Sequence, residues 1–239
     1  TLILTVYGDM DVSRLIEKPK HRKDVITLSK PEEKIDEVLH FIKKKIKNGN
    51  QIFWVCPLIE ESKKLDHQSS IKRYEILKKI FNKKVGLLHG SLKKEEKDKI
   101  LTDFLERKID ILVSTTVIEV GIDFPNASAI IIENANKFGL SQLHQLRGRV
   151  GRSHHRAYAY MIIPPEGMMT KDAKKRIEAI QSSADLGAGF SLSTHDMEIR
   201  GAGELLGDSQ SGEIQEIGLY DDYVIENNEN FIVINILGC

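Results

Sequence analysis

At 239 residues, with 41% hydrophobic and 29% charged residues, the sequence has the composition of a globular protein. No apolar run reaches the roughly 18 residues that a membrane span needs, so a membrane partner is not expected. Net charge is zero but unevenly placed: residues 1–110 carry 25 Lys/Arg against 18 Asp/Glu, residues 111–239 carry 10 against 17, and no Lys or Arg follows Arg200. A neutral total leaves nucleic-acid binding open, because a local basic stripe is enough. The two cysteines, Cys56 and Cys239, form no spacing motif, and Cys56 reads as a reduced core residue. That usage suits the cytoplasm. The strand-like start carries no basic leader and no initiator Met, which points to a fragment or a trimmed chain.

Residues 1–30 read as an extended segment ending in a strand, Val25 to Leu28. Residues 31–47 form the clearest helix. Pro31 suits its first position, Glu32, Glu33 and Asp36 suit its positive end, and Ile35, Val38, Leu39, Ile42 and Ile46 share one face. The lysines at its end read as a solvated face, and Asn48-Gly49 stop it. Strands and helices then alternate. Strands are expected at 51–56, 85–89, 109–114, 128–133 and 157–163. Helices are expected at 69–82, from a Ser91 cap through Leu105, through the arginine-rich stretch near 147, and at 170–184. This alternation predicts an α/β fold, a mostly parallel sheet covered by helices on both faces. Sites in such sheets gather beyond the carboxyl ends of the strands.

Three stretches between these elements carry candidate chemistry. The first is Leu87-Leu-His-Gly-Ser91. The second, from Ser114 to Pro125, pairs the hydroxyls of Ser114, Thr115 and Thr116 with Gly121 and Asp123. Hydroxyls and backbone amides at a strand-to-helix turn can donate to phosphates; helix capping by the hydroxyls and a turn role for Asp123 are the alternatives. The third leads into Gln142-Leu-His-Gln-Leu-Arg-Gly-Arg-Val-Gly-Arg152. Arginine forks suit phosphate oxygens, and the intervening glycines allow close backbone approach. An exposed basic turn would look the same in isolation.

Together, Val-Ser-Thr-Thr-Val-Ile-Glu-Val-Gly-Ile-Asp123 and Gln-Leu-Arg-Gly-Arg-Val-Gly-Arg152 resemble motifs V and VI of superfamily 2 helicases. The resemblance implies a RecA-like C-terminal motor lobe that works with ATP and Mg2+ on duplex or branched DNA. It places His89, Gly90, Thr115 and Thr116 near the nucleic-acid backbone. It places Gly121 and Asp123 near the nucleotide, and Gln145, Arg149 and Arg152 toward the ATP phosphates, with Arg149 or Arg152 as an arginine finger. Ile-Phe-Trp-Val-Cys-Pro-Leu-Ile-Glu-Glu-Ser62 is similar to the RecG helicases. Gly-Arg-Ser-His-His155 and Gly-Glu-Leu-Leu-Gly-Asp-Ser-Gln-Ser-Gly212 are similar to the Mfd translocases, so a chain of mixed character, even a fusion, is one expectation. Thr194 to Gly207 resembles the translocation motif shared by both families, with Arg200 and Glu204 as coupling residues. An ion pair of Arg200 with Asp196, Glu198 or Glu204 is the other reading.

A motor of this kind also needs a phosphate loop ending in Gly-Lys-[Ser/Thr]. The dipeptide Gly-Lys occurs nowhere in these 239 residues. Asp36-Glu-Val-Leu-His40 mimics a helicase Asp-Glu-x-x-His, but it sits inside an amphipathic helix and is set aside. The expected layout is an interlobe segment and first strand at 1–28, the lobe at 29–165, a helical-hairpin appendage at 166–218 and a divergent tail at 219–239. Such a lobe is not expected to hydrolyse ATP alone and would need a first lobe in cis or trans. A vestigial or purely DNA-binding module is the alternative.

Overall fold

The structure, a computed structural model, describes residues 23–57, 63–81, 84–115, 124–152, 156–165 and 167–182. Strand β1 (Ile26–Pro31) leads through a single 3-10 turn, Glu32–Lys34, into helix α1 (Ile35–Lys47). Then follow β2 (Gln51–Val55), α2 (Lys63–Ile80), β3 (Val85–Leu88), α3 (Lys94–Leu105) and β4 (Ile111–Ser114). The second half holds β5 (Ala127–Ile132), a 3-10 turn Ala135–Lys137, α4 (Leu140–Arg147), β6 (Tyr158–Ile163) and α5 (Lys171–Ser182). The strands form one sheet in the order β1-β6-β5-β2-β4-β3, and every pairing is parallel.

A parallel sheet with helices on both faces buries its strands twice, which is why β2, β4 and β5 are buried at every position. Alternate residues face opposite layers. Phe53, Val55, Leu112, Ile130 and Ile132 pack with Phe104 of α3, Leu143 and Leu146 of α4, and Ile177 and Ile180 of α5. Ile52, Trp54, Ile111, Val113 and Ile131 pack with Val38 and Ile42 of α1 and Leu77 of α2. Each helix therefore returns the chain from the carboxyl edge of the sheet to the amino edge, on one face or the other.

Several local expectations shift. Pro31 ends β1 instead of opening a long helix, because its extended backbone (ψ 149°) still pairs with Ile163. α2 runs from Lys63 to Ile80, starting six residues before the predicted 69. Ser91 does not cap α3. Lys93 holds that position, and its N–H donates to the Glu96 carboxylate at 3.1 Å, so a carboxylate placed three residues on does the capping. α5 is capped by Thr170, whose hydroxyl accepts from the Ala173 N–H at 3.2 Å. The Asp-Glu-x-x-His look-alike is indeed inside α1, with Val38 buried and Glu37 paired to Lys30 at 2.7 Å. Residues 183–239, which hold most of the expected appendage together with Arg200 and Glu204, lie outside the described residues.

Candidate nucleotide and nucleic-acid edges

The arginine stretch does not sit where a carboxyl-edge rule would put it. α4 ends at Arg147, Gly148 is its C-cap, and Arg149 to Arg152 follow as a turn leading back to β6. The helix therefore stops short of the two outer arginines, where one through the motif had been expected. Because β6 is parallel to its neighbours, this turn lies at the amino edge of the sheet. Gly151 fixes it there. Its φ of +78° favours glycine, and a Cβ would lie 3.0 Å from Val25 Cγ2 and 3.2 Å from Ala157 Cβ. Val25 and Ala157 each precede a strand, β1 and β6, whose starts are tied by the Ile26 N–H donating to Ala157 O at 3.0 Å. Replacing Gly151 with Ala combines strain with crowding and is expected to cost about 1–3 kcal/mol, read as a lowered urea midpoint.

The three arginines have different surroundings. Arg149 and Arg152 are half-buried, and Arg152 Nε donates to Gly148 O at 3.4 Å. Gln145 is exposed on α4. Arg147 is 7% exposed and turns inward: Nη1 donates to Ile180 O of α5 at 3.0 Å, and Nη2 meets His144 Nδ1 at 3.1 Å. Arg147 is thus a brace between α4 and α5 and not a phosphate ligand. Arg176 of α5 donates to Asn136 O at 3.2 Å, which ties α5 to the 3-10 turn before α4 as well. Burial lowers the Arg147 pKa, and the Asp24 charge partly offsets this.

Burial, then the Arg147 charge, holds the His144 pKa down to about 4. The folded protein thus keeps His144 neutral while the unfolded chain takes a proton near pH 6.5. Stability is expected to fall as pH drops from about 6.5 toward 4. His144→Gln keeps an acceptor for Arg147 without titrating, so its urea midpoint should fall less over that range. Parallel curves for the two proteins would contradict the assignment.

The carboxyl edge carries the other group. His89 and Gly90 follow β3, and Thr115 follows β4. A Cβ on Gly90 would meet no described atom within 4 Å, so internal packing does not require glycine there. Ser114 and Thr115 are 0% and 3% exposed, and neither hydroxyl oxygen has a hydrogen-bond partner among the described residues. Buried hydroxyls are normally satisfied, so this pair is a notable feature of the edge. Between β2 and β5 the same edge holds a cluster that the motifs did not announce. Arg73 of α2 pairs with Glu133 and lies over the Trp54 ring at 5.3 Å, and the Cys56 thiol donates to Glu133 at 3.3 Å. Burial, then Glu133, pushes the Cys56 thiol far above its usual pKa, so it is an inert core group. Strands of four to six residues separate the two edges by roughly 13–20 Å. Gly121, Asp123 and Thr116 lie outside the described residues.

Residues 33–154 match the helicase conserved C-terminal domain family. The chain belongs to this family. The chain is 44% identical over 227 residues to the ATP-dependent DNA helicase RecG of Bacillus subtilis, covering 93% of this chain and 32% of that protein. It is 43% identical over 218 residues to the transcription-repair-coupling factor of Escherichia coli, covering 91% of this chain and 18% of that protein. Both groups that the motifs resemble are therefore matched. In structure the domain is similar to RecG bound to a three-way DNA junction, with a TM-score of 0.66 and 41% identity over 82% of this chain and 24% of that one. Domain 2 of the DEAD-box helicase Mss116p, bound to an RNA duplex, is 20% identical at a TM-score of 0.50 and shows a shared fold. The chain thus spans about a third or less of the RecG and coupling-factor proteins it matches. The RecA-like helicase lobe expected from the sequence is the fold found.

Proposed function

We propose that this domain is the second motor lobe of an ATP-dependent DNA helicase or translocase that serves DNA repair or recombination. One observation carries the reading. In a chain 44% identical to RecG, the sheet delivers Arg149 and Arg152 to one edge and His89, Gly90 and Thr115 to the other. Two phosphate-seeking groups on opposite edges of one rigid sheet suit a lobe that holds ATP and DNA at once.

ATP lies between the amino edge and a first lobe supplied in cis or in trans. That lobe brings the phosphate loop. Mg2+ arrives with the nucleotide; among the described residues no group of three or more His, Cys, Asp or Glu could hold a metal ion. Arg149 and Arg152 meet the phosphates, with Gln145 beside them on α4. Negative charge grows on the transferring phosphoryl group, and a guanidinium already in place stabilises it without reorganising. Gly121 and Asp123 belong to the nucleotide side, and Thr116 joins Thr115 on the nucleic-acid side. Contacts from the carboxyl edge go to the sugar-phosphate backbone of duplex or branched DNA and carry no sequence preference. The stretch after α5, up to residue 218, acts as the coupling appendage, through Arg200 and Glu204, and α5, packed on the lobe and held by Arg147 and Arg176, is its base. Among the described residues no helix is long and apolar enough to cross a membrane, and the cytoplasm is the proposed location.

The test mixes or fuses the chain with a RecA-like first lobe that carries a phosphate loop. The expected result is ATP hydrolysis stimulated by branched duplex DNA in the pair and absent from either part alone. Robust hydrolysis by this chain alone, or none by the pair, would overturn the reading.

A further inference from the structure

We infer that Arg107 is a positioning residue for the nucleotide edge, an inference that rests on the function proposed above. α3 closes with a paired hydrogen-bond pattern: the Arg107 N–H donates to Phe104 O at 3.1 Å and the Lys108 N–H to Asp103 O at 2.9 Å. A left-handed residue completes this pattern, and glycine is the usual choice. Here the residue is Arg107, with φ +61°. A side chain is strained at that position, so the local backbone gives no reason for an arginine.

The side chain gives one. Arg107 Nη2 donates to Asn126 Oδ1 at 2.6 Å, joining the α3–β4 turn to the residue just before β5. Asn126 is held from a second side as well, where its backbone oxygen accepts from the N–H of Gln51, the first residue of β2, at 2.9 Å. Two residues earlier, Phe124 is wedged against Phe53 and Phe104, with ring centroids 5.5 and 5.2 Å away. The acids of the turn are taken by Lys108, which pairs with Asp103 and Glu106 at 3.4 and 2.6 Å. The Arg107 guanidinium is left to Asn126. All of this lies at the amino edge, where Arg149 and Arg152 emerge. Arg107 therefore fixes the start of β5 relative to its neighbours, and so the surface onto which the nucleotide settles. It touches no phosphate itself.

Arg107→Gly separates this role from a purely structural one, because glycine relieves the backbone strain while removing the tie. In the paired motor, Arg107→Gly is expected to raise KM for ATP about tenfold with kcat within about twofold, a pattern of lost binding and not of lost chemistry. Its melting temperature should not fall appreciably. Asn126→Ala should reproduce the KM change, and Asn126→Asp, which keeps the acceptor, should not. In the chain alone, the Ala127 amide, which donates to Phe124 O at 3.0 Å, should exchange faster in Arg107→Gly than in the wild type. A KM for Arg107→Gly within twofold of the wild-type pair would overturn the inference. A wild-type pair that does not hydrolyse ATP would overturn the parent reading and this one with it, and the wild-type control tells the two failures apart.

Discussion

Arg152→Ala, and separately Arg149→Ala, are expected to lower kcat of the paired motor by about 10³ or more for whichever is the finger. Both side chains are half-buried, so melting curves run beside the kinetics separate any loss of stability from the loss of kcat. Arg→Lys at the finger position should recover little. Lysine keeps the charge but loses the planar fork that meets two phosphate oxygens at once. Steady-state ATPase assays with saturating duplex DNA measure this directly. A finger changes kcat, whereas a residue that only binds ATP changes KM. If both substitutions left kcat within a few-fold of the wild type, neither arginine would be acting on the phosphoryl group.

Arg147→Ala should behave in the opposite way. The side chain is buried against Ile180 O and His144. Truncation leaves a carbonyl without its charged donor and opens a cavity between α4 and α5. The expected loss is about 2–4 kcal/mol, seen as a lower urea midpoint. Amides of α5 should lose exchange protection first, since α5 is what the guanidinium holds. An unchanged midpoint would mean that the Arg176 tie and the packing of Ile177 and Ile180 anchor α5 without Arg147. The outer arginines and the inner one thus make different predictions, chiefly a kinetic loss for the first and chiefly a stability loss for the second, from within six residues.

Those six residues also show what can be read from a sequence. The parallel sheet was legible because β2, β4 and β5 are apolar at nearly every position, as only doubly covered strands are. The helix faces were legible from Val38 and Ile42 and from Ile177 and Ile180. The arrangement of the candidate residues was less legible. Three arginines spaced by glycines look alike in a string. What separates them is that α4 ends at Arg147, whose side chain still lies on the helix face toward α5, while Gly148 releases the next residues from that face. The edge on which they emerge depends on the direction of β6, and strand direction has no local signal in a strand's own residues. The Arg73–Glu133–Cys56 cluster was hidden for a related reason. Its members are 60 positions apart between Arg73 and Glu133, and sheet order alone brings them together. Arg107 did leave a trace: α3 ends without a glycine where its hydrogen bonds need a left-handed residue.

The central claim is that one sheet presents nucleotide and DNA on opposite edges. Hydrogen exchange on the paired motor tests it most directly, with a non-hydrolysable ATP analogue and a branched duplex added separately. The analogue should protect backbone amides at 148–152, and the DNA should protect those at 89–92 and 115. Protection of both segments by the same ligand, or the reverse assignment, would contradict the account.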